Sequence, residues 1–334
     1  MNPVARRCLR LALGVGIAAA IAYGKGLPFA YLVVIMSATL LVVPNPPPGP
    51  KQALILIVLM LVMCGWGLLL APVLDGVPVA GVLILLLGIG VASALTTRPA
   101  VAIVGTLMIL GNTIIAVIGQ QSSAAGLILL QLLVLATVLA VIIAHVAHAL
   151  LPETQPPATR PAAAPADAAW IGLRSALIML PPLLMALNNP GTYIMLLMKG
   201  AQLSQQVQAT DTRVMARELV LSTATGGAAA MAIWWVLGLW PVLPLLVLLL
   251  MLATLLLARP MYGAVASGRR FSHWQNALVT MIIILGPAVE DSANATDIGR
   301  QMLTRIVMFI GLSLYAATMV ALLDAARARR LAAR

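Results

Sequence analysis

The sequence predicts an all-α integral membrane protein with about 12 transmembrane helices, arranged as two parallel six-helix repeats. Three observations carry this expectation. Of the 334 residues, 62% are hydrophobic and only 9% charged, against about 25% charged in an ordinary soluble domain. Apolar runs of about 20 residues, each long enough for a hydrocarbon core of about 30 Å, recur along the chain. Short segments of the first half return in the same order in the second.

The runs are continuous and rich in Leu, Ala, Val and Ile, as in "PVLPLLVLLLMLATLLLA". They lack the alternation of barrel strands, so they read as helices. The first half predicts helices near 8–24, 27–43, 52–72, 78–95, 99–118 and 124–151. The basic start before the first run resembles a signal peptide. Arg10 nevertheless recurs as Arg174, so this run is kept as the first helix. Pro28 opens the second helix, where a missing N–H is harmless. "PETQPPATRPAAAPADAA", residues 152–169, is rich in Pro and Ala and reads as a flexible linker. Six more helices follow near 170–187, 190–206, 216–238, 241–258, 272–289 and 302–323. The expected organisation is a first membrane repeat over 1–151, the linker, and a second repeat with a basic tail over 170–334.

Four matches link the halves. "CLRLAL" from Cys8 resembles "GLRSAL" from Gly172, and Pro28, Tyr31 and Met36 match Pro190, Tyr193 and Met198. Arg98-Pro99 and Arg259-Pro260 each stand beside a helix end. "MILGN" at Met108 resembles "IILGP" at Ile283. An even number of helices per half returns the second half in the same orientation, so the repeat is parallel.

Charge orients the chain. With the N-terminus in the cytoplasm, all 20 Lys and Arg residues except Lys25, Arg300, Arg305 and Lys199 fall in or beside cytoplasmic connections. That is the positive-inside pattern of a multi-pass bacterial inner-membrane protein with both termini cytoplasmic. It accounts for the net charge of +11 without a nucleic-acid partner, for which no basic soluble domain exists. The basic tail "RARRLAAR" suits the anionic headgroups of the lipid bilayer.

Few patterns speak for enzyme chemistry. No phosphate-cradling Gly-x-x-x-x-Gly-Lys-Ser/Thr is present, so the chain is not its own ATPase. His145 and His148 share a helix face but lack a clear third metal ligand. They read as interfacial histidines, and no metal or cofactor is expected. Cys8 and Cys64 read as buried small hydrophobes. The acidic loop "EDSANATD", residues 290–297, is expected on the outer side, pairing with Arg300 and Arg305.

Lys199 is the residue out of place. It falls about 16 Å into the eighth helix, where a lysine costs about 2.5–3.5 kcal/mol on insertion scales. Thr192, Lys199, Gln202 and Gln206 fall on one stripe, whereas the matching positions of the second helix are Ala30, Ser37, Leu40 and Pro44. A cation facing an internal path is one reading; a lysine snorkelling to the interface is the other. Asn112 either lines the same path or bonds between helices. Tyr31 and Tyr193 suit an interfacial belt, with a paired substrate-stacking role as the alternative.

The segment from Arg7 through the third helix has a basic first helix, a Pro-x-x-Tyr opening the second, the Pro-rich turn "PNPPPGP", and a third helix after Lys51. In these features it resembles the fusaric acid resistance family, which includes aromatic acid exporters. The resemblance implies an inner-membrane exporter of small organic anions that works with a periplasmic adaptor of the membrane-fusion type. The large cytoplasmic domain of the longer exporters is replaced here by the linker. An anion channel and a non-transporting assembly subunit are the competing readings; the polar stripe favours transport, and the lack of an intramembrane His, Asp or Glu cluster disfavours an enzyme.

Overall fold

The computed structural model describes residues 2–98, 101–153, 168–206, 212–292 and 298–332. Among them the chain is all-α. Its helices are α1 (Pro3–Gly24), α2 (Ala30–Val42), α3 (Pro50–Gly76), α4 (Pro78–Thr96), α5 (Ala102–Gln121), α6 (Ser123–Leu150), α7 (Ala168–Asn188), α8 (Pro190–Gln206), α9 (Thr212–Leu239), α10 (Leu243–Met261), α11 (Phe271–Asp291) and α12 (Ile298–Ala332). All twelve expected helices are present. Most of the linker, residues 154–167, lies outside the described residues.

Local chemistry sets many starts and stops. Asn2 caps α1 by accepting from the Val4 N–H at 3.1 Å, with Pro3 in the first turn. Gly26, at φ 62°, turns the chain after α1. Pro50, Pro78 and Pro190 open α3, α4 and α8. At α8 the Thr192 N–H also donates to Asn189 Oδ1 at 3.2 Å.

Length and hydropathy mark 8 helices as able to cross a membrane: α3 to α7, α9, α10 and α12. The protein is therefore a multi-pass membrane protein, but four of the expected spans fall short of that measure. The 13 residues of α2 and the 17 of α8 reach about 20 and 26 Å at 1.5 Å per residue, less than the hydrocarbon thickness of about 30 Å. Three arginines weight α1, and polar residues near both ends weight α11. These helices are also deeply enclosed. Every residue of α11 from Asn276 to Ala288 is buried, as is α8 from Met195 to Ala201.

By packing, the described chain forms two compact units, each drawing on both halves of the sequence. The first comprises Met1–Ile57, Leu132–Thr159 and Leu221–Val307; the second comprises Val58–Gln131, Arg160–Val220 and Met308–Arg334. In the first unit α1 packs on α2 and α10, and α11 packs on α2 and α10. In the second, α7 packs on α8 and α4, and α5 packs on α4 and α8. An apolar cluster that includes Leu85, Ile89, Ile109, Leu183 and Leu197 forms the core of the second unit.

Candidate functional site

The second unit contains Lys199. Its side chain is 0% exposed, and Nζ donates to Gln202 Oε1 at 3.3 Å, one turn along α8. The Lys199 side-chain nitrogen is thus held inside the protein beside an amide. Leu197 and Ala201 join the apolar cluster, and Tyr193 packs against it. Helical geometry puts Lys199 on the opposite side of α8 from these residues. Gly200 brings α8 close to α7, since a Cβ there would lie 3.0 Å from Met179 Sδ. Ser175 of α7 donates to the Ser204 carbonyl at 3.4 Å, joining the same two helices. Thr192, at the start of the stripe, is exposed. The side chain of Gln206 lies outside the described residues.

Asn112 sits on a feature that apolar patterning does not reveal. Within α5, Gly111–Ile115 forms a π-helical turn. Such turns insert one residue into an α-helix and recur at functional sites. Asn112 is fully buried, and neither its Oδ1 nor its Nδ2 has a hydrogen-bond partner. Gly88 of α4 leaves room for this amide, because a Cβ there would come 2.8 Å from Nδ2. On its other side the turn is pressed by α3: a Cβ at Gly67 would collide with the Gly111 carbonyl, and one at Gly111 with the Met63 carbonyl.

In the first unit, Ser37 is fully buried with no partner for its hydroxyl. Tyr31 is only 2% exposed, so it does not sit in an interfacial belt. The reason is Gly286 of α11, whose missing Cβ leaves the slot that the tyrosine fills. Phe29 meets Tyr31 edge to face, with centroids 6.1 Å apart. A void of about 10 Å³ beside Tyr23, Val34 and Leu250 has room for about one water molecule.

Two charged clamps emerge that the sequence reading did not assemble. In the first unit Arg10, 1% exposed, donates to Glu153 Oε2 at 2.8 Å, and Arg7 makes a two-pronged pair with the same carboxylate at 3.0 Å. In the second, Arg174 donates to Asp324 Oδ2 at 2.9 Å, and Trp170 donates to Oδ1 at 2.9 Å. Arg327 stacks over the Trp170 ring at 5.2 Å. Arg10 and Arg174 are matched positions, and each reaches a carboxylate near the end of the sixth helix of its own half. The matched arginines are the signal in the sequence that points to these acidic partners.

His148 has carbonyl partners at both ring nitrogens, Ala144 at 2.8 Å and Asn45 at 3.0 Å. His145 bonds the Val141 carbonyl at 2.8 Å. Among the described residues no group of three or more His, Cys, Asp or Glu side chains is placed to hold a metal. In the acidic loop, Asp291 pairs with Arg305 at 3.0 Å; residues 293–297 lie outside the described residues.

Fold and composition together define a multi-pass, all-α membrane protein with a lysine enclosed in a short inner helix. Residues 7–147, which run from α1 through nearly all of α6, match the profile of a family described as a protein of unknown function (DUF2955). No curated protein and no solved structure matches the chain.

Proposed function

We propose that the protein exports small organic anions, aromatic carboxylates among them, across a bacterial inner membrane, drawing on an ion gradient and working with a periplasmic adaptor of the membrane-fusion type. The observation that carries this reading is the complete burial of Lys199 on α8. A buried ammonium in a membrane protein is costly and marks substrate or ion pathways. In a medium of low dielectric its attraction for a passing carboxylate is far stronger than in water. Along the sequence the stripe continues inward through Gln202 and Gln206, whose amides would pass the carboxylate on, and Thr192 and Tyr193 lie toward its outer end. Asn112 offers an unsatisfied amide in the same unit. Ser37 and Tyr31 stand at the matched places in the other half, where no cation is needed.

The halves act as parallel six-helix repeats with exchanged partners. In support, the same packing recurs in both units: the first and second helices of one half meet the fourth and fifth of the other. The family match ends at residue 147, close to the boundary this division requires.

The test is export of a labelled aromatic carboxylate from cells that express the chain with and without a co-encoded adaptor. Export should depend on the chain and collapse on adding a protonophore with ATP held constant. Flux that persists in vesicles without any gradient identifies a channel instead, and no chain-dependent flux removes the transport reading.

A further inference from the structure

The turn between α2 and α3 contains "PNPPPGP", residues 44–50, whose prolines bring carbonyls but no N–H groups. Its backbone therefore depends on donors from elsewhere in the first unit. Tyr262, at the end of α10, donates its hydroxyl to the Val42 carbonyl at 2.7 Å and closes the end of α2. His148, in the last turn of α6, reaches the Asn45 carbonyl with Nε2 at 3.0 Å. Its Nδ1 meets the Ala144 carbonyl at 2.8 Å. Both partners of the ring are carbonyl oxygens, which only accept. A neutral imidazole has one N–H and one bare nitrogen, so in either tautomer one of the two contacts sets a lone pair against a carbonyl. Only the imidazolium donates at both. The ring is buried, so a mismatched contact there is costly.

We propose that His148 is a proton-operated latch on the exit of α2: as an imidazolium it donates to both the Ala144 and the Asn45 carbonyls, and on losing its proton it lets go of Asn45. The Ala144 contact lies one turn back on the same helix, whereas the Asn45 contact joins segments 103 residues apart. The local contact is kept because it needs no distant segment to be ordered. The charges that act on the ring are Arg10 of α1 and Glu153, just past α6, and these two are paired with each other at 2.8 Å. Arg7 shares the Glu153 carboxylate. Tyr262 and Cys8 are the neighbouring titratable groups of this corner. The sign follows from which form makes both bonds: the latch is closed below the titration of the ring and opens as pH rises through it. If the protein is the exporter proposed above, one of the two matched short helices then responds to protons on the side that the arginine pattern expects to be cytoplasmic. That consequence rests on the transport reading, but the test does not.

The chain has 3 histidines, so nitrogen NMR of the purified full chain in nanodiscs, with histidine alone isotope-labelled, resolves each ring. His145→Gln and His273→Gln assign the signals of His148. Both of its ring nitrogens should carry protons at about pH 5.5 and only one at about pH 8.5. A spin label on Asn45→Cys reads the turn: the Asn45 side chain is exposed, the substitution leaves its carbonyl in place, and the native Cys8 and Cys64 are buried. The ratio of mobile to immobile label should rise about tenfold over the same pH interval. With His148→Gln added, the label should be mobile at both pH values; with His145→Gln added, it should keep its pH dependence. Where His148→Gln does not fold, the ring signals of His148 decide alone. The proposal is overturned by a His148 ring with a bare nitrogen at about pH 5.5, by one still charged at about pH 8.5, or by a label whose pH dependence survives His148→Gln or is abolished by His145→Gln.

Discussion

At the residue scale, Lys199 concentrates the question of function. A charge taken into the protein interior lowers stability unless its surroundings repay the desolvation. Gln202 supplies one neutral acceptor at 3.3 Å. A lysine kept for stability alone is an inefficient choice, since apolar substitutes for buried charges are often neutral or stabilising. Lys199→Met is therefore expected to insert normally and to melt at or above the wild-type temperature. Its export of organic anions should fall by about tenfold or more, the worth of one charge-assisted bond. Lys199→Arg should keep anion binding but slow turnover, because a guanidinium binds carboxylates as a rigid fork and does not give up its proton. Thermal melting and initial export rates at equal membrane abundance check both variants. A wild-type export rate in Lys199→Met ends the assignment.

At the scale of the element, α5 carries a π-helical turn over Gly111–Ile115. Its π turn is wedged where α3 and α5 bring their backbones together through Gly67 and Gly111. A methyl at Gly67 has nowhere to go, because backbone rather than a flexible side chain blocks it. Gly67→Ala is expected to cost about 1–3 kcal/mol, the usual range for overpacking. Gly65 lies two residues earlier on the same helix and has open space around it. Gly65→Ala should be neutral or stabilise the helix by up to about 1 kcal/mol. Melting temperatures of the two variants, side by side, separate close helix contact from a general effect of alanine.

For the whole molecule, the charge distribution makes a definite claim about orientation. The residue 152–169 linker and both termini should face the cytoplasm, and the loop after α11 the opposite side. Native Cys8 and Cys64 are both buried, which keeps the background of thiol labelling low. Single cysteines at Ala163 and Ser292 are then treated with a membrane-impermeant thiol reagent in intact, outer-membrane-permeabilised cells. Ser292→Cys should label and Ala163→Cys should label only after lysis; the reverse pattern inverts the topology. The two compact units add a point about assembly. Because each takes segments from the beginning, middle and end of the chain, neither is complete until nearly all the helices have been inserted.

How much was legible beforehand follows from which forces act locally. The number and order of the helices were readable, because an apolar run of a given length has few alternatives to a helix in a bilayer. The matched arginines were readable too, since a charge stands out in such a chain. The sequence by itself therefore determined the membrane class, the helix order and the oddity of Lys199. Tertiary structure decided which apolar faces meet. The helix α2 is apolar on nearly every side, so its composition carries no direction; only packing shows that it, like the more polar α8 and α11, is enclosed. Tyr31 was expected at an interface, and it is buried because Gly286, from the far end of the chain, makes a slot for it. Arg10 and Arg174 found Glu153 and Asp324 through folding, across more than a hundred residues of chain. Local hydropathy measures what a segment prefers as solvent. It does not encode which distant segment will exclude that solvent, and for that reason the partners of these residues became visible only in three dimensions.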